Sequence, residues 1–281
     1  MDVICTPSEM RKKSADLKRS GSKIGFVPTM GDIHEGHNSL IRMASSHSDA
    51  TVVSIFVNPT QFASGEDFER YPRKPDEDLA ACQVLGVNVA FVPTHEAMYP
   101  EPFSLYVNED RLSNALCGPF RPGHFRGVLT IVAKLFNIVS PDSAYFGQKD
   151  AQQATLIKHM ISAMNYSIDL QIGPTIRGHD GLAISSRNRY LATEERQRAV
   201  CLYESLMLAR ELYEHGECDA NVVATRMRRL IDEGAPPVDI DYIEILDAAT
   251  LEPVKAVKTN TLIALAIRVG NTRLIDNLLI E

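Results

Sequence analysis

The stretch KIGFVPTMGDIHEGHNSLIRMASSH, from Lys23 to His47, decides the fold class. It begins with the apolar run Lys23–Val27, which is typical of a strand, passes through a turn, and continues with helical periodicity over His37–His47. The β-branched run Thr51–Val57 follows directly and predicts a second strand. A strand, a helix and a strand in this order indicate a crossover between parallel strands.

The same alternation continues toward the middle of the chain. Three further helices are predicted over Pro75–Leu85, Gly127–Val139 and Asp150–Met164. Three further strands are predicted over Val87–Val92, Ser143–Phe146 and Ser167–Ile172. We therefore expect an α/β fold with a doubly wound parallel sheet, in which ligands bind at the carboxyl ends of the strands.

After Pro174 the pattern changes. Two consecutive helices are predicted over Glu194–Tyr213 and Ala220–Glu233, and strands over Ile240–Leu246, Pro253–Val257 and Leu262–Val269. This is an α+β pattern. The sequence thus predicts two domains, a larger one over residues 1–175 and a smaller α+β one over residues 176–281.

Composition limits the classes of function. With 29 Lys and Arg against 36 Asp and Glu, the net charge is −7, which argues against a nucleic-acid-coating protein. The five cysteines are scattered without a C-x-x-C pair, so neither a disulfide framework nor a zinc knuckle is indicated. No apolar stretch approaches the roughly 20 residues of a membrane span, and the N-terminus lacks the apolar core of a signal peptide. We expect a cytoplasmic protein with no membrane partner.

The most informative chemistry lies between His34 and His37, at the end of the first strand. Unpaired N–H groups at a helix N-terminus bind anions, and Gly36 between the two imidazoles lets a phosphate approach the backbone. An H-E-x-x-H zinc site is ruled out because position 38 is Asn, and two histidines alone are too few for zinc. The structural alternative is that one histidine caps the turn and the other is merely exposed.

Two further segments combine polar groups suited to an anion. In Gly147–Asp150, Lys149 opposes the dipole of the helix that follows, a conflict that a bound anion would remove. Asp150 with Gln153 alternatively forms a helix cap. In Asp180–Asn188, two serines and an arginine can bracket phosphate oxygens. The structural alternative is a serine that caps a helix, followed by an arginine on the surface.

Three remaining features have open readings. Gln61, in Asn58–Phe62, suits a substrate with hydroxyl and carboxylate groups, whereas Asn-Pro is also a common turn. The segment Arg121–Gly127 fits an anion contact, a lid or a dimer element. Glu77 and Asp78 suit a magnesium nucleotide, or simply the first turn of a helix.

Taken together, these segments resemble the pantoate–β-alanine ligase (pantothenate synthetase) family over nearly the whole chain. The resemblance is carried by seven motifs in order: VPTMG-x-x-H-x-GH at Val27–His37, SIFVNP-x-QF at Ser54–Phe62, RYPR at Arg70–Arg73, RPGHFRGV at Arg121–Val128, FG-x-KD-x-QQ at Phe146–Gln153, DGLA-x-SSRN at Asp180–Asn188 and RLIDN at Arg273–Asn277. Two minor departures are Ile33, where leucine is frequent, and Gln148, where glutamate also occurs.

The resemblance implies a reaction and its setting. It implies condensation of (R)-pantoate with β-alanine through a pantoyl adenylate, with ATP as a substrate together with Mg²⁺, to give pantothenate, AMP and pyrophosphate. It also implies a Rossmann-like nucleotidylyltransferase domain, a C-terminal domain acting as a lid, and a homodimer.

The resemblance also implies residue roles. His34, His37 and Lys149 would be catalytic, with His37 as the proton donor, and Gln61 and Gln153 would bind pantoate. ATP would be bound by the three catalytic residues together with Met30, Gly31, Gly36, Gly147, Gln148, Asp150, Ile176, Ile184, Ser185, Ser186 and Arg187. No protein ligand to a metal is expected.

Two other functions stay open on the sequence. Another small-molecule adenylyltransferase would join AMP to a phosphate acceptor and release no free AMP. A non-catalytic nucleotide-binding regulator of the same fold would bind ATP without releasing pyrophosphate. An RNA-linked synthetase would need a basic surface facing the tRNA, and the net charge of −7 without an anticodon-sized appendage argues against it.

Overall fold

The computed structural model describes residues 1–63 and 65–281. The chain forms two compact units that interleave in sequence. Unit 1 contains residues 1–109, 121–147 and 156–174, and unit 2 contains residues 110–120, 148–155 and 175–281. Within the described residues, no helix is both long enough and apolar enough to cross a lipid bilayer.

Unit 1 contains a fully parallel sheet, as predicted, but it has six strands, because β1 joins the five that the sequence predicted. Its strands are β1 (Asp2–Ile4), β2 (Ile24–Thr29), β3 (Ala50–Ile55), β4 (Val89–Phe91), β5 (Ser143–Gly147) and β6 (Asp169–Gly173). Their spatial order is β1-β4-β3-β2-β5-β6, and every neighbouring pair is parallel. The order reverses between β2 and β5, so the carboxyl end of β2 lies at the switch point where doubly wound sheets bind ligands.

Helices connect these strands. They are α1 (Pro7–Arg19), α2 (Glu35–His47), α3 (Pro75–Val84), the single turn α4 (His95–Met98), α5 (His124–Val139) and α6 (Ala151–Ala163), the last of which begins in unit 2 and ends in unit 1. Helix α5 is buried on nearly every face, as its apolar sequence requires. It begins one turn before the predicted Gly127. At Gly127 itself a side chain would collide with the backbone of Thr60, so only glycine permits this close approach.

Unit 2 contains an antiparallel sheet, β7 (Asp239–Asp247), β8 (Thr261–Val269) and β9 (Thr272–Leu279), in that order. Three helices, α7 (Thr193–Ala199), α8 (Cys201–Glu214) and α9 (Ala220–Gly234), contribute to its core. The core is dominated by the fully buried face of β8, with Ile263, Leu265 and Ile267 each at 0% exposure.

Two predictions about elements are wrong, and β9 is one of the elements that the sequence did not predict. The single helix predicted over Glu194–Tyr213 is two helices, because the hydrogen-bond ladder is interrupted at Val200, whose N–H bonds the carbonyl of Arg198. The predicted strand Pro253–Val257 makes only isolated bridges, since proline offers no N–H to a ladder. Strand β9 was not predicted because Asp276 and Asn277 interrupt its apolar alternation.

Candidate active site

The turn after β2 is held by a carboxylate from helix α3. Asp78 accepts hydrogen bonds from the backbone N–H groups of Asp32 (3.1 Å) and Ile33 (2.7 Å). Gly31 has φ +82°, and a Cβ there would lie 2.7 Å from Asp78 Oδ2, so the turn requires glycine. Burial raises the pKa of Asp78, and the two N–H bonds oppose that rise. Asp78 therefore shapes the turn that leads to the histidines, in agreement with the structural reading of this residue.

The two histidines of this turn form a stacked pair. The ring centroids of His34 and His37 are 4.1 Å apart, with the planes inclined by 25°. His34 precedes α2, and its backbone N–H donates to Nδ1 of His37 (3.3 Å). Because Nδ1 accepts this bond, a neutral His37 carries its proton on Nε2. His37 thus combines a capping role with a donor nitrogen.

Gly36 makes the stacking possible. A Cβ at this position would lie 3.0 Å from Cε1 and 3.1 Å from Nδ1 of His34. Both distances are tighter than ordinary van der Waals contact, so any side chain at position 36 would push the His34 ring. The glycine in H-x-G-H therefore serves the ring of His34 as well as the approach of a ligand.

A directed hydrogen-bond chain orients Gln61, which lies after β3. Asn58 Oδ1 accepts from the hydroxyls of Tyr99 (2.7 Å) and Thr60 (3.0 Å), and its Nδ2 donates to Gln61 Oε1 (3.0 Å). Burial raises the pKa of Tyr99 to about 12, which keeps this hydroxyl protonated as a donor. Gln61 Nε2 is then the end of the side chain that points to Met30 Sδ (2.9 Å). Gln61 consequently presents N–H groups beside Met30.

The Arg121–Gly127 segment also supports Gln61. Arg121 forms a bidentate ion pair with Glu66 (2.6 and 2.7 Å), and its Nη1 lies 2.9 Å from His124 Nε2. A guanidinium has no acceptor, so His124 Nε2 accepts and its Nδ1–H donates to the Gln61 carbonyl (2.7 Å). Burial favours the neutral form of Glu66, but the bonds from Arg121 outweigh it and lower the pKa. The segment is therefore a brace for the Gln61 backbone.

In unit 2, the segment after β5 carries Lys149. Its Nζ lies 3.6 Å from Asp150 Oδ1, so the neighbouring carboxylate offsets part of the conflict between the lysine and the dipole of α6. Asn277 of β9 bonds the Gln148 side chain and the backbone carbonyls of Gln148 and Lys149. Gln152 is buried and holds the 112–117 segment, whereas Gln153 is half-buried.

The Ser-Ser-Arg segment of unit 2 follows a small antiparallel turn, in which Ile184 N–H bonds the Ile176 carbonyl (2.9 Å). Ser185 caps the short 3-10 helix Ser186–Tyr190 by accepting from the backbone N–H of Arg187 (3.3 Å). Ser186 is 7% exposed, and Arg187 is half-buried. The capping alternative for the first serine is thus realised, which leaves its hydroxyl proton able to donate elsewhere.

The candidate residues are divided between the two units. Met30, Gly31, His34, Gly36, His37, Gln61 and Gly147 lie in unit 1, and Gln148, Lys149, Asp150, Gln153, Ile176, Ile184, Ser185, Ser186 and Arg187 lie in unit 2. Sequence reasoning passed over the residues that hold them. Tyr99 and Glu66 show no local signal, whereas Asn58, Asp276 and Asn277 lie inside the family motifs without an assigned role.

No metal cage is formed by the described part of the chain. Outside the undescribed Ser64, no three His, Cys, Asp or Glu side chains are grouped so as to bind a metal ion. Asp78, one of the two carboxylates considered for magnesium, already accepts two backbone N–H bonds.

Comparison with known proteins gives a consistent result. The family model for pantoate-beta-alanine ligase matches residues 2–279. A pantothenate synthetase of Thermosipho africanus is 51% identical over 280 residues, covering 100% of both chains. One from Sulfurihydrogenibium is 49% identical over 278 residues, covering 99% of each.

Solved structures agree with the sequence relatives. A pantothenate synthetase from Thermus thermophilus superposes with a TM-score of 0.93 at 40% identity, covering 99% of both chains. A pantoate-beta-alanine ligase from Francisella tularensis, described as complexed with beta-gamma ATP and beta-alanine, has a TM-score of 0.82 at 33% identity, covering 99% of this chain and 97% of that one. The chain therefore belongs to the pantoate–β-alanine ligase family.

Proposed function

We propose that the chain condenses pantoate with β-alanine and converts ATP to AMP and pyrophosphate, through a pantoyl adenylate. The observation that carries this proposal is the stacked His34–His37 pair, which follows β2 at the switch point of the sheet. A helix N-terminus with one imidazole at its N-cap and another in its first turn suits a polyphosphate. The Francisella relative, described as complexed with beta-gamma ATP and beta-alanine, supports the choice of substrates.

In the first half-reaction, a carboxylate oxygen of pantoate forms a bond to the α-phosphorus of ATP, and the bond from that phosphorus to the bridging oxygen breaks. Negative charge then develops on the departing pyrophosphate. His37 donates from Nε2 to this charge, since its Nδ1 is engaged by the His34 N–H. His34 binds the phosphates beside it. Catalysis of such a step consists mainly of positioning and charge stabilisation.

Groups of unit 2 bind the nucleotide. Lys149 follows the charge on the α-phosphate, and Ser185, Ser186 and Arg187 bind the β- and γ-phosphates, with the arginine fork matching phosphate oxygens. The remaining ATP contacts are assigned to Met30, Gly31, Gly36, Gly147, Gln148, Asp150, Ile176 and Ile184.

Pantoate is bound by Gln61 and Gln153. The hydrogen-bond chain from Tyr99 through Asn58 occupies Gln61 Oε1, so Gln61 acts as a donor. A donor matches the carboxylate oxygens and the hydroxyl lone pairs of pantoate. Met30 forms the apolar wall beside this amide.

In the second half-reaction, the neutral amine of β-alanine attacks the acyl carbon of the adenylate. A C–N bond forms, the bond to the AMP oxygen breaks, and the amine loses a proton. No side chain of the described residues is assigned as acceptor of that proton. Magnesium enters with ATP as part of the substrate, where it neutralises phosphate charge.

The setting of the enzyme is proposed as well. We infer a cytoplasmic homodimer, with residues 1–175 binding ATP and pantoate and residues 176–281 acting as the lid. The dimer is tested by sedimentation, where a mass near the 31.1 kDa of one chain would contradict it.

One assay tests the reaction. ATP, magnesium, pantoate and β-alanine are incubated with the protein, AMP and pyrophosphate are measured, and each substrate is omitted in turn. We expect AMP to require all three substrates, and ATP–pyrophosphate exchange to require pantoate but not β-alanine. A dinucleotide product without free AMP would indicate a different adenylyltransferase, and ATP binding without pyrophosphate release would indicate a regulator.

A further inference from the structure

Two consecutive residues of β9 hold the two segments of unit 2 to which phosphate binding is assigned. Asp276 and Asn277 are 2% and 5% exposed. They lie in a strand whose other buried residues, Thr272 apart, are apolar. Their polar groups are nevertheless well satisfied, and the partners are specific.

Asn277 fixes the Lys149 segment through three hydrogen bonds. Its Nδ2 donates to the backbone carbonyls of Gln148 (3.0 Å) and Lys149 (2.9 Å), and its Oδ1 accepts from Gln148 Nε2 (3.0 Å). All the donors and acceptors of one amide except a carbonyl lone pair are thereby used. The backbone from which the Lys149 side chain projects is thus tied to the sheet.

Asp276 fixes the segment that leads to the two serines. Its carboxylate forms a bidentate ion pair with Arg177 (2.5 and 3.0 Å), and Arg177 also donates to the Gly181 carbonyl (3.1 Å). Asp276 Oδ1 additionally accepts from the backbone N–H of Asn277 (2.8 Å). Two adjacent strand positions are therefore coupled to each other and to two segments that are far apart in sequence.

We infer that Asp276 and Asn277 are positioning residues for adenylate formation. They hold the Lys149 and Ser185–Arg187 segments in one common frame, and they touch no substrate themselves. The inference rests on the proposed phosphate-binding roles of those segments. A buried carboxylate and a buried amide are costly to desolvate, and apolar residues would pack the same strand at lower cost. The need to orient the Lys149 and Ser185–Arg187 segments explains why Asp276 and Asn277 are polar.

The test uses single-turnover release of pyrophosphate from ATP and pantoate by the full chain. Asn277→Ala and Asp276→Asn are each expected to slow this step about 10²-fold, the effect of misplacing reacting groups by about 1 Å. Pantoate affinity is expected to change less than twofold. Asp241→Asn is the matched control, because the Asp241 carboxylate belongs to the same sheet, is only 9% exposed and has two arginine partners, Arg268 and Arg273. It is expected to lower the melting temperature without slowing the step.

Double-mutant cycles separate positioning from general loss of stability. If Asn277 acts through Lys149, then Asn277→Ala with Lys149→Ala is no slower than Lys149→Ala alone. The same holds for Asp276→Asn combined with Arg187→Ala. Additive losses, or a normal rate in both single β9 variants, would overturn the inference while leaving the proposed function intact.

Other outcomes are equally decisive. A normal rate for Lys149→Ala and for Arg187→Ala would overturn the proposed roles, and the inference with them. If Asn277→Ala does not fold, Asn277→Ser, which keeps one donor, is measured in its place. An unchanged rate in a folded Asn277→Ser protein, with Gln148→Leu also unchanged, would overturn the role of Asn277.

Discussion

The imidazole rings of His34 and His37 are stacked with centroids 4.1 Å apart, and the backbone N–H of the first donates to Nδ1 of the second. His34 therefore lies at the N-cap of α2, and His37 lies in the first turn of that helix. The hydrogen bond engages Nδ1 of His37, so Nε2 is the ring nitrogen that carries the proton. Capping therefore uses Nδ1 of His37 and proton donation uses Nε2, and substitution by alanine would remove both functions at once.

Substitution of His37 is expected to separate capping from proton donation. His37→Ala should slow adenylate formation by about 10²-fold or more, as for the loss of a donor to developing charge. His37→Asn keeps an acceptor near Nδ1 and His37→Gln keeps a donor near Nε2. We expect Gln to retain more activity and Asn to retain more stability. Single-turnover kinetics and thermal unfolding check this, and equal activity of all three variants would contradict the assignment.

Gly36→Ala is expected to lower activity without lowering stability. The new Cβ would press on the His34 ring at 3.0 Å, and adenylate formation should fall about tenfold or more. Alanine is meanwhile favoured over glycine in a helix by up to about 1 kcal/mol. Gly234→Ala in α9 is the matched control, since a Cβ there meets nothing within 4 Å. Wild-type kinetics in Gly36→Ala would show that the ring position is unimportant.

The ion pair between Glu66 and Arg121 is expected to give a characteristic pH dependence. The pKa of Glu66 is lowered from its ordinary 4.5, so the folded protein binds fewer protons there than the unfolded chain. Its contribution is complete above pH 4.5 and is lost as the pH falls through the lowered pKa. Glu66→Gln should therefore cost about 2 kcal/mol at pH 7, and the difference from wild type should shrink in acid.

Denaturant titrations between pH 3 and pH 7 measure this difference. Glu233→Gln serves as the control, because the Arg229–Glu233 pair is highly exposed, with 73% and 64% of its side chains accessible. Exposed pairs contribute roughly 0–1 kcal/mol. A loss for Glu66→Gln that is constant across the whole pH range would indicate packing in place of charge.

Tyr99→Phe is expected to weaken pantoate binding from a distance. The substitution removes the 2.7 Å bond to Asn58 Oδ1, which frees the amide chain that orients Gln61. We expect the KM for pantoate to rise several-fold with the KM for ATP unchanged, and stability to fall by about 1–2 kcal/mol. Tyr145→Phe removes another buried hydroxyl contact, to Ser143, and should affect stability alone. Equal effects on both KM values would argue against the proposed direction of the chain.

Much of this organisation was predictable from local pattern. The apolar runs before Met30 and Gly147 indicated strands, and parallel strands place their carboxyl ends at one edge, so the polar turns that follow them were natural candidates. Asp78 illustrates the limit. The local sequence around Asp78 fits both an acidic residue in the first turn of a helix and a metal ligand. Only the tertiary contact with the Asp32 and Ile33 N–H groups decides between the two.

The supporting residues could not be read from spacing alone. Glu66 meets Arg121 55 positions away, and Arg177 meets Asp276 99 positions away. Such pairs depend on which elements the fold brings together, and periodicity reports only which face of one element is apolar. Polar residues of β9 even concealed the strand, because the features that support the site break the alternation that identifies a strand.

The three hydrogen bonds of Asn277 also have a consequence for the order of assembly during synthesis. Gln148 and Lys149 leave the ribosome about 130 residues before the side chain that fixes their backbone, given a separation of 129 positions. Until β9 is made, the nascent chain can form the histidine turn but has no anchor for the lysine segment. The protein should therefore become able to form the adenylate only late, after β9 has emerged from the ribosome and paired with β8.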